Sequence, residues 1–313
     1  SGTIIAPTQA SGKPGTGHMI VPSRWFAGGK GLDEFRESML TDSRVRAIND
    51  YLSASDVFPG VGLKGGVCYF LWDRDHPGLC EVTTHFKDWP TTTATRSLLE
   101  PGADVFIRFN EALSILRKVI AVETGQEHSL ALPESKRFER LVSSRKPFGF
   151  ETTFKGRASK APGDVLIYQN GGTGYVDRAS IPSGAHLIDG WKVYVGRAAP
   201  GTGNKDTYPH RIISTPFLGE SGSISSETYL CIGTFDTRGE AESALSYLRC
   251  RLTRFLILLH KPSQDTTRKV YAFVPTQDWT RDWNDHDLYE KYGLSEDEID
   301  FVERIVRPME ADE

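Results

Sequence analysis

The sequence predicts an α/β domain followed by an α+β region, and three observations carry that reading. Strand and helix signals alternate over roughly the first 90 residues. From Phe148 to Tyr229 the texture changes to short β-rich runs between Gly/Pro-rich loops. The remainder holds long helical patterns with recognisable caps. At 313 residues with 38% hydrophobic content, the chain is long enough to bury a sizeable core.

Taken in order, residues 1–18 are rich in Gly, Ser, Thr and Pro and read as a linker or an expression remnant. "MIVPSRWF" gives a short strand stopped by Pro22, after which Leu32, Phe35, Met39 and Leu40 fall at helical spacing. "VRAINDYL", "GGVCYFLWD" and "LCEVTTHF" are three strand runs, the last two separated by the turn "HPG". Residues 19–100 are therefore the end of an α/β sheet.

Residues 101–147 read as a helical connector. "DVFIRFNEALSILRKVIAVET" is predicted to be largely helical, with Ala112, Ile115, Leu116 and Val119 on one face, and a second helix is predicted over "ESKRFERLVSS". Residues 148–275 form the β-rich region, with runs "DVLIYQ", "WKVYVG", "RIIST" and "TYLCIG". Near its end, Ala241, Leu245, Leu248, Leu252, Phe255 and Leu259 recur at alternating steps of four and three. That spacing predicts one continuous packing helix of about 23 residues, roughly 34 Å long. In the tail, residues 276–313, Asn284 and Gly293 bracket one helix. Ser295 with Glu298 forms a capping box ahead of a stripe of Ile299, Val302, Ile305 and Val306.

The net charge of −4 conceals a polarised chain. From Thr276 to Glu313 there are 13 Asp/Glu against 4 Lys/Arg, a balance of −9 that leaves +5 on the rest. Within the basic body, Lys136 to Lys160 holds eight basic residues and two acidic ones. Such an excess suits a polyanion, although charge alone favours a solvated surface stretch. Cys68, Cys80, Cys231 and Cys250 are widely spaced without a CxxC, and the eight histidines show no HExxH. No metal site is expected, and the cysteines read as buried reduced thiols. No run of about 18 apolar residues and no secretory signal occur, which predicts a cytoplasmic protein with no membrane partner.

Several chemistries lack their motifs. There is no GxSxG elbow and no GxxxxGK[ST] phosphate loop. Asp104 with Glu134-Ser135-Lys136 loosely matches a PD…ExK nuclease pattern, but the predicted helix at Asp104 does not suit carboxylates converging on a sheet edge. Phe58-Pro59-Gly60-Val61-Gly62 matches the FxGxG pattern of S-adenosylmethionine loops. A cofactor loop of that kind opens into a helix whose N-terminal amides hold the ligand, whereas here more glycines and a strand follow. The context is strand, turn, strand, and the chain has no cofactor-binding motif of its own.

Longer runs carry a more specific signal. "MIVPSRWFAGGKGLDEFRESMLTDSRVRAINDYLSASDVFPGVGLKGGVCYFLWDRD" resembles the latter part of the catalytic domain in adenine-N6 DNA methyltransferases of the Taq and bifunctional restriction-modification type. "GDVLIYQNGGTGYVDRASI", "PFLGESGSISSETYLCIGTFD" and "RKVYAFVPTQDW" resemble the target-recognition region and C-terminus of that family. The resemblance spans about Met19 to Met309 and implies the last strands of a Rossmann-like methyltransferase sheet, then a DNA-specificity domain over residues 148–275. The family's S-adenosylmethionine motif and its Asn-Pro-Pro-aromatic motif are both missing here. The resemblance therefore implies a portion that does not methylate alone, with S-adenosylmethionine as the cofactor of the complete enzyme.

By the same resemblance, Phe58 stacks on an adenine rotated out of the duplex, an extrusion required because the target atom is unreachable inside the stack. Lys64 is a candidate for a flanking phosphate. The expected partners are double-stranded DNA and the missing catalytic half, in cis or in trans. Phosphate contacts position and base contacts specify. Lys155, Arg157 and Lys160 are the phosphate candidates; Arg178, Arg197, Asn204, Lys205, His210 and Arg211, on loops between β-runs, are the base-edge candidates, since Arg suits guanine and Asn suits adenine. Two other readings stay open: one chain of a split methyltransferase, or a protein-interaction module using the long helix and the acidic tail.

Overall fold

The computed structural model describes residues 15–28, 31–61, 63, 65–87, 89–199, 208–261 and 265–309. The chain divides into two compact units, with the boundary between Leu113 and Ser114.

The first unit is an α/β sheet domain. Its elements run β1 (Thr16–Pro22), α1 (Asp33–Thr41), β2 (Val45–Tyr51), β3 (Val67–Asp73), β4 (Cys80–His85) and β5 (Thr92–Arg96). The sheet order is β1-β3-β2-β4-β5, with β2 and β4 parallel and every other pair antiparallel. β1 begins at Thr16, slightly ahead of the apolar run that predicts it. One face of the strands buries Val21, Ile48, Phe70 and Val82 against Trp25, Phe26 and the Met39–Leu40 end of α1. Each large side chain so buried contributes on the order of 2 kcal/mol, which is what fixes the register.

Residues 104–111 are not helical, contrary to the sequence expectation. Val105, Phe106, Ile107 and Phe109 are all buried, a density of burial that a one-sided helix cannot give. The backbone is held by the sheet instead. Arg96 on β5 donates to the Ile107 carbonyl at 2.5 Å and to Asn110 Oδ1 at 2.9 Å. Thr84 Oγ1 donates to the Arg108 carbonyl at 3.1 Å. Carbonyls that a helix would use internally are thereby taken, and α2 spans only Ala112–Thr124.

The second unit is β-rich, then helical. Strands β6 (Asp164–Gln169), β7 (Gly172–Asp177), β8 (Trp191–Gly196), β9 (Phe217–Gly219), β10 (Ser223–Ser225) and β11 (Tyr229–Phe235) form two three-stranded sheets, β10-β6-β7 and β11-β8-β9. Phe148, Ile167, Tyr194 and Ile224 share one core. Lys192 on β8 is fully buried and donates to the carbonyls of Ile188, Ser223 and Glu220 at 2.8, 2.9 and 3.5 Å. Three N–H donors meet three carbonyls, the pairing that a buried ammonium requires.

Three sequence expectations are corrected in this unit. "ESKRFERLVSS" forms two 3-10 turns, Glu134–Lys136 and Phe138–Leu141, rather than a helix. Its backbone bonds outward: Phe138 N–H donates to the Val274 carbonyl and Ser143 N–H to the Cys231 carbonyl, at 2.9 and 2.8 Å. "RIIST" is not a strand, and within it Ile212 adopts φ 71°, a left-handed conformation unfavourable for a β-branched residue. The long helix is two helices, α3 (Arg238–Arg249) and α4 (Arg251–Leu259), broken at an extended Cys250.

That break is capped from both sides. Asp285 Oδ1 accepts from Arg251 N–H at 2.5 Å, and the fully buried Arg254 donates through Nη2 to the Arg249 carbonyl at 2.9 Å and through Nη1 to the Arg307 carbonyl at 2.7 Å. The seam residues stay buried across the break because their spacing restarts in phase. The tail helices α5 (Asp285–Tyr292) and α6 (Glu296–Ile305) carry the expected Asn284 cap, Gly293 stop and Ser295–Glu298 capping box. Val302, Ile305 and Val306 are buried, and Phe301 meets Phe255 of α4 with ring centroids 5.9 Å apart. All four cysteines are buried and unpaired, and burial pushes the thiols of Cys68, Cys80 and Cys231 up to about 12.

Candidate nucleic-acid interface

At one edge of the first unit's sheet, the C-terminal ends of the parallel strands β2 and β4 lie side by side, with Tyr51 paired to His85. Their rings stack at 4.2 Å with an interplanar angle of 4°. His85 Nε2 is 2.9 Å from Asn49 Oδ1, and burial holds the imidazole below its ordinary range against the opposing charge of Asp50. Just beyond β4, Phe86 and Trp89 stack at 4.4 Å. The loop from β2 to β3 leaves this same edge and carries Phe58, Val61 and Leu63 as exposed apolar side chains.

The β2–β3 loop is a strand-turn-strand connection, as its glycines predict. Phe58 N–H donates to the Ala54 carbonyl at 2.8 Å, and Val61 N–H to the Phe58 carbonyl at 3.0 Å. At the far end Gly66 has φ +79°, and an added Cβ would lie 2.1 Å from the Tyr51 carbonyl oxygen. Only glycine satisfies both demands. Ser23 N–H donates to the Gly66 carbonyl at 3.0 Å and pins that end to β1. No helix opens from Phe58–Val61, and the nearby residues do not fit an S-adenosylmethionine cradle built on helix N-terminal amides.

Beneath the loop lies a buried ion pair. Asp50 is fully buried; it accepts from Ser23 Oγ and from Arg108 Nη2, both at 2.8 Å, and also from Arg108 Nε. Nothing local in the sequence links these residues, which are 58 positions apart.

In the second unit the predicted phosphate candidates lie close together in sequence, and two of them are engaged. Lys155 Nζ donates to the Asn170 carbonyl and Arg157 pairs with the buried Asp164, while Lys160 is exposed. Arg157 is also bridged to Tyr175 by two backbone bonds of 2.8 and 2.9 Å. Of the base-edge candidates, Arg178 makes a two-pronged pair with Asp189 at 2.7 and 2.5 Å on the surface. That geometry is what a guanidinium would otherwise offer a guanine edge.

Arg197 follows β8 with Nη2 3.7 Å from Glu227 Oε1. His210 is half-buried, and burial with the charge of Lys261 pushes its imidazole down to about 4. Its carbonyl accepts from Arg307 N–H at 2.8 Å. The Arg211 carbonyl accepts from Arg254 at 3.2 Å, so this segment is tied to the helical tail. Lys64, Asn204 and Lys205 lie outside the described residues.

Sequence reasoning missed Tyr51, His85, Asp50, Arg108 and Glu227. Tyr51 and His85 had a usable signal, since both end strand runs, but their stacking depends on the β2–β4 register. Glu227 gave none, because its cations come from distant loops. Among the described residues, no group of three or more His, Cys, Asp or Glu side chains is placed to hold a metal ion, and no helix is long and apolar enough to cross a membrane. Asp104 and Glu134-Ser135-Lys136 fall in different units, and Lys136 pairs with Glu123 at 3.1 Å.

Residues 8–58 match the Eco57I restriction-modification methylase family. A 70-residue stretch is 29% identical to an uncharacterized adenine-specific methylase of Mycoplasma pneumoniae, covering 22% of this chain and 17% of that protein. The chain therefore matches less than a fifth of that relative's length. Among solved structures, the chain is similar to the type IIG restriction endonuclease BpuSI, with 11% identity and TM-score 0.33 over 90% of this chain and 42% of that one. It is also similar to the type IIL restriction-modification enzyme MmeI in complex with DNA, with 8% identity and TM-score 0.37 over 82% and 37%. The chain thus carries a segment related to restriction-modification and adenine-specific methylases.

Proposed function

We propose that this chain is the DNA-recognising portion of a site-specific adenine-N6 DNA methyltransferase from a restriction-modification or phage-defence system. The observation that carries the reading is Phe58: it ends the segment similar to Eco57I-type methylases and stands exposed at the strand edge where β2 and β4 finish in parallel. An exposed aromatic on a pinned turn is suited to stack on an extruded adenine, a contact worth about 1–3 kcal/mol. Lys64 would hold a flanking phosphate. Residues 148–275 would read the target sequence, with Lys155, Arg157 and Lys160 on phosphates and Arg178, Arg197, Asn204, Lys205, His210 and Arg211 toward base edges. S-adenosylmethionine would bind the other portion of the enzyme and supply the methyl group there; this chain orients the base and the duplex.

The test is binding of a labelled DNA duplex across a salt series. Affinity should fall steeply with salt, and Phe58→Ala should weaken binding roughly 5- to 150-fold on a duplex with an unpaired adenine at its target site. No retardation of DNA at low salt sinks the proposal. Methyl transfer on mixing with a chain carrying the cofactor and Asn-Pro-Pro motifs would extend the reading to a split enzyme.

A further inference from the structure

Glu227 gathers more cations than one carboxylate can neutralise. It lies in the turn between β10 and β11 with its side chain 3% exposed, and its N–H donates to the Phe150 carbonyl at 2.8 Å. Arg145 Nε donates to Glu227 Oε1, Lys146 Nζ is 3.8 Å from Oε2, and Arg197 Nη2 is 3.7 Å from Oε1. The side chains of Arg145, Lys146 and Arg197 remain 66%, 40% and 26% exposed. Lys146 also pairs with the exposed Glu151. Three positive charges therefore converge from two separate loops against two carboxylates, Glu227 and Glu151, a net charge of +1, and Glu227 at their centre is the member out of reach of solvent.

Arg197 adds an independent observation. Its Nε is buried and has no hydrogen-bond partner among the described residues, a state that costs about 1–3 kcal/mol. Arg145 bonds Glu227 through Nε, which leaves its two terminal nitrogens for an incoming oxygen pair. A phosphodiester offers such a pair and one negative charge.

We propose that Arg145, Lys146 and Arg197 form a binding site for a DNA backbone phosphate, and that Glu227 is a positioning residue that holds them together. The inference rests on the DNA-binding reading and deepens it, placing Arg197 on phosphate rather than on a base edge. Without the buried carboxylate the three cations repel one another and separate. With it, they present a fixed convergent face; Glu227 stays away from the ligand, and the exposed Glu151 on Lys146 is the carboxylate that an incoming phosphate displaces.

Binding of a fluorescent random-sequence duplex, followed by anisotropy over a salt series, tests the proposal. The Arg145→Ala/Lys146→Ala/Arg197→Ala triple variant should lower the slope of log affinity against log salt by about 0.9, the loss of one phosphate, and Arg145→Ala alone should lower it by part of that amount. Glu227→Gln removes a negative charge and is nevertheless expected to weaken binding and reduce the slope. Tighter binding by Glu227→Gln, or an unchanged slope in folded Arg145→Ala, overturns the proposal while leaving DNA binding intact. Absence of any binding by the unaltered chain at low salt instead overturns the DNA-binding reading itself. Arg145→Ala keeps the test decisive if Glu227→Gln fails to fold, since Arg145 is mostly exposed.

Discussion

Asp50 in the first unit and Glu227 in the second are both buried carboxylates that accept from arginine, yet they are matched differently. Asp50 meets one guanidinium edge-on and one hydroxyl, so donors and charge balance inside the fold. Glu227 meets three cations, two of them at 3.7 and 3.8 Å and one also paired with the exposed Glu151, and the remaining net charge of +1 faces solvent. Burial of the carboxylate is common to both; the number and exposure of the cations decide whether the pair closes a core or shapes a surface.

The largest expected effect tests the closed pair. Arg108→Ala leaves Asp50 buried without its counter-charge and should cost about 3–5 kcal/mol, read as a lower urea midpoint by Trp fluorescence. Asp50→Asn/Arg108→Met should recover most of that loss, because both charges leave together. A loss under about 1 kcal/mol for Arg108→Ala would remove the contrast with Glu227.

Lys192 extends the comparison to a buried charge with no carboxylate partner. Burial pushes its ammonium down to about 8 from the ordinary 10.5. Between those values the unfolded chain holds a proton that the folded chain has released, so stability rises as pH climbs from 8 to 10.5 and is flat with respect to this group below 8. That rise is about 3 kcal/mol in full, and Lys192→Met should abolish it in melting curves taken across the window. An identical pH slope in the variant would show that the carbonyls compensate burial completely.

A smaller effect is expected at the open cluster. Arg145→Ala should change folding stability by no more than about 1 kcal/mol, since the side chain is exposed and Lys146 and Arg197 remain on Glu227. Thermal melting of that variant beside Arg108→Ala should show the smaller loss for Arg145→Ala, and equal losses would mean that the two carboxylates are held alike. Smallest of all is His210→Ala. With its imidazole held near 4 the residue is uncharged at neutral pH, so the salt dependence of DNA binding should not move. A reduced slope would reveal a charged histidine at the interface.

What was legible in the sequence was local. Apolar and β-rich runs bounded by turn residues located β2, β3, β4, β6 and β8, and Asn284, Gly293, Ser295 and Glu298 marked helix ends because caps act within a few residues. The 104–111 segment misled because its apolar density reads as helix when the competing donors, Arg96 and Thr84, are invisible. The break at Cys250 was hidden for a similar reason: one of its caps, Asp285, lies 34 positions from the Arg251 it holds, while the apolar spacing runs through unbroken. The Glu227 cluster joins residues 82 apart, a separation at which spacing carries no information.

Gly66 has a consequence for how the β2–β3 connection could vary. Its backbone fits closely against the Tyr51 and Leu52 carbonyls and accepts from Ser23, so both ends of the loop are anchored whatever lies between. Closing a longer loop between fixed ends costs only about 0.6 kcal/mol per doubling of length. Insertions around Pro59–Val61 should therefore leave the sheet folded while changing how far Phe58 projects. Reach and scaffold are in this way separable quantities, adjustable one residue at a time.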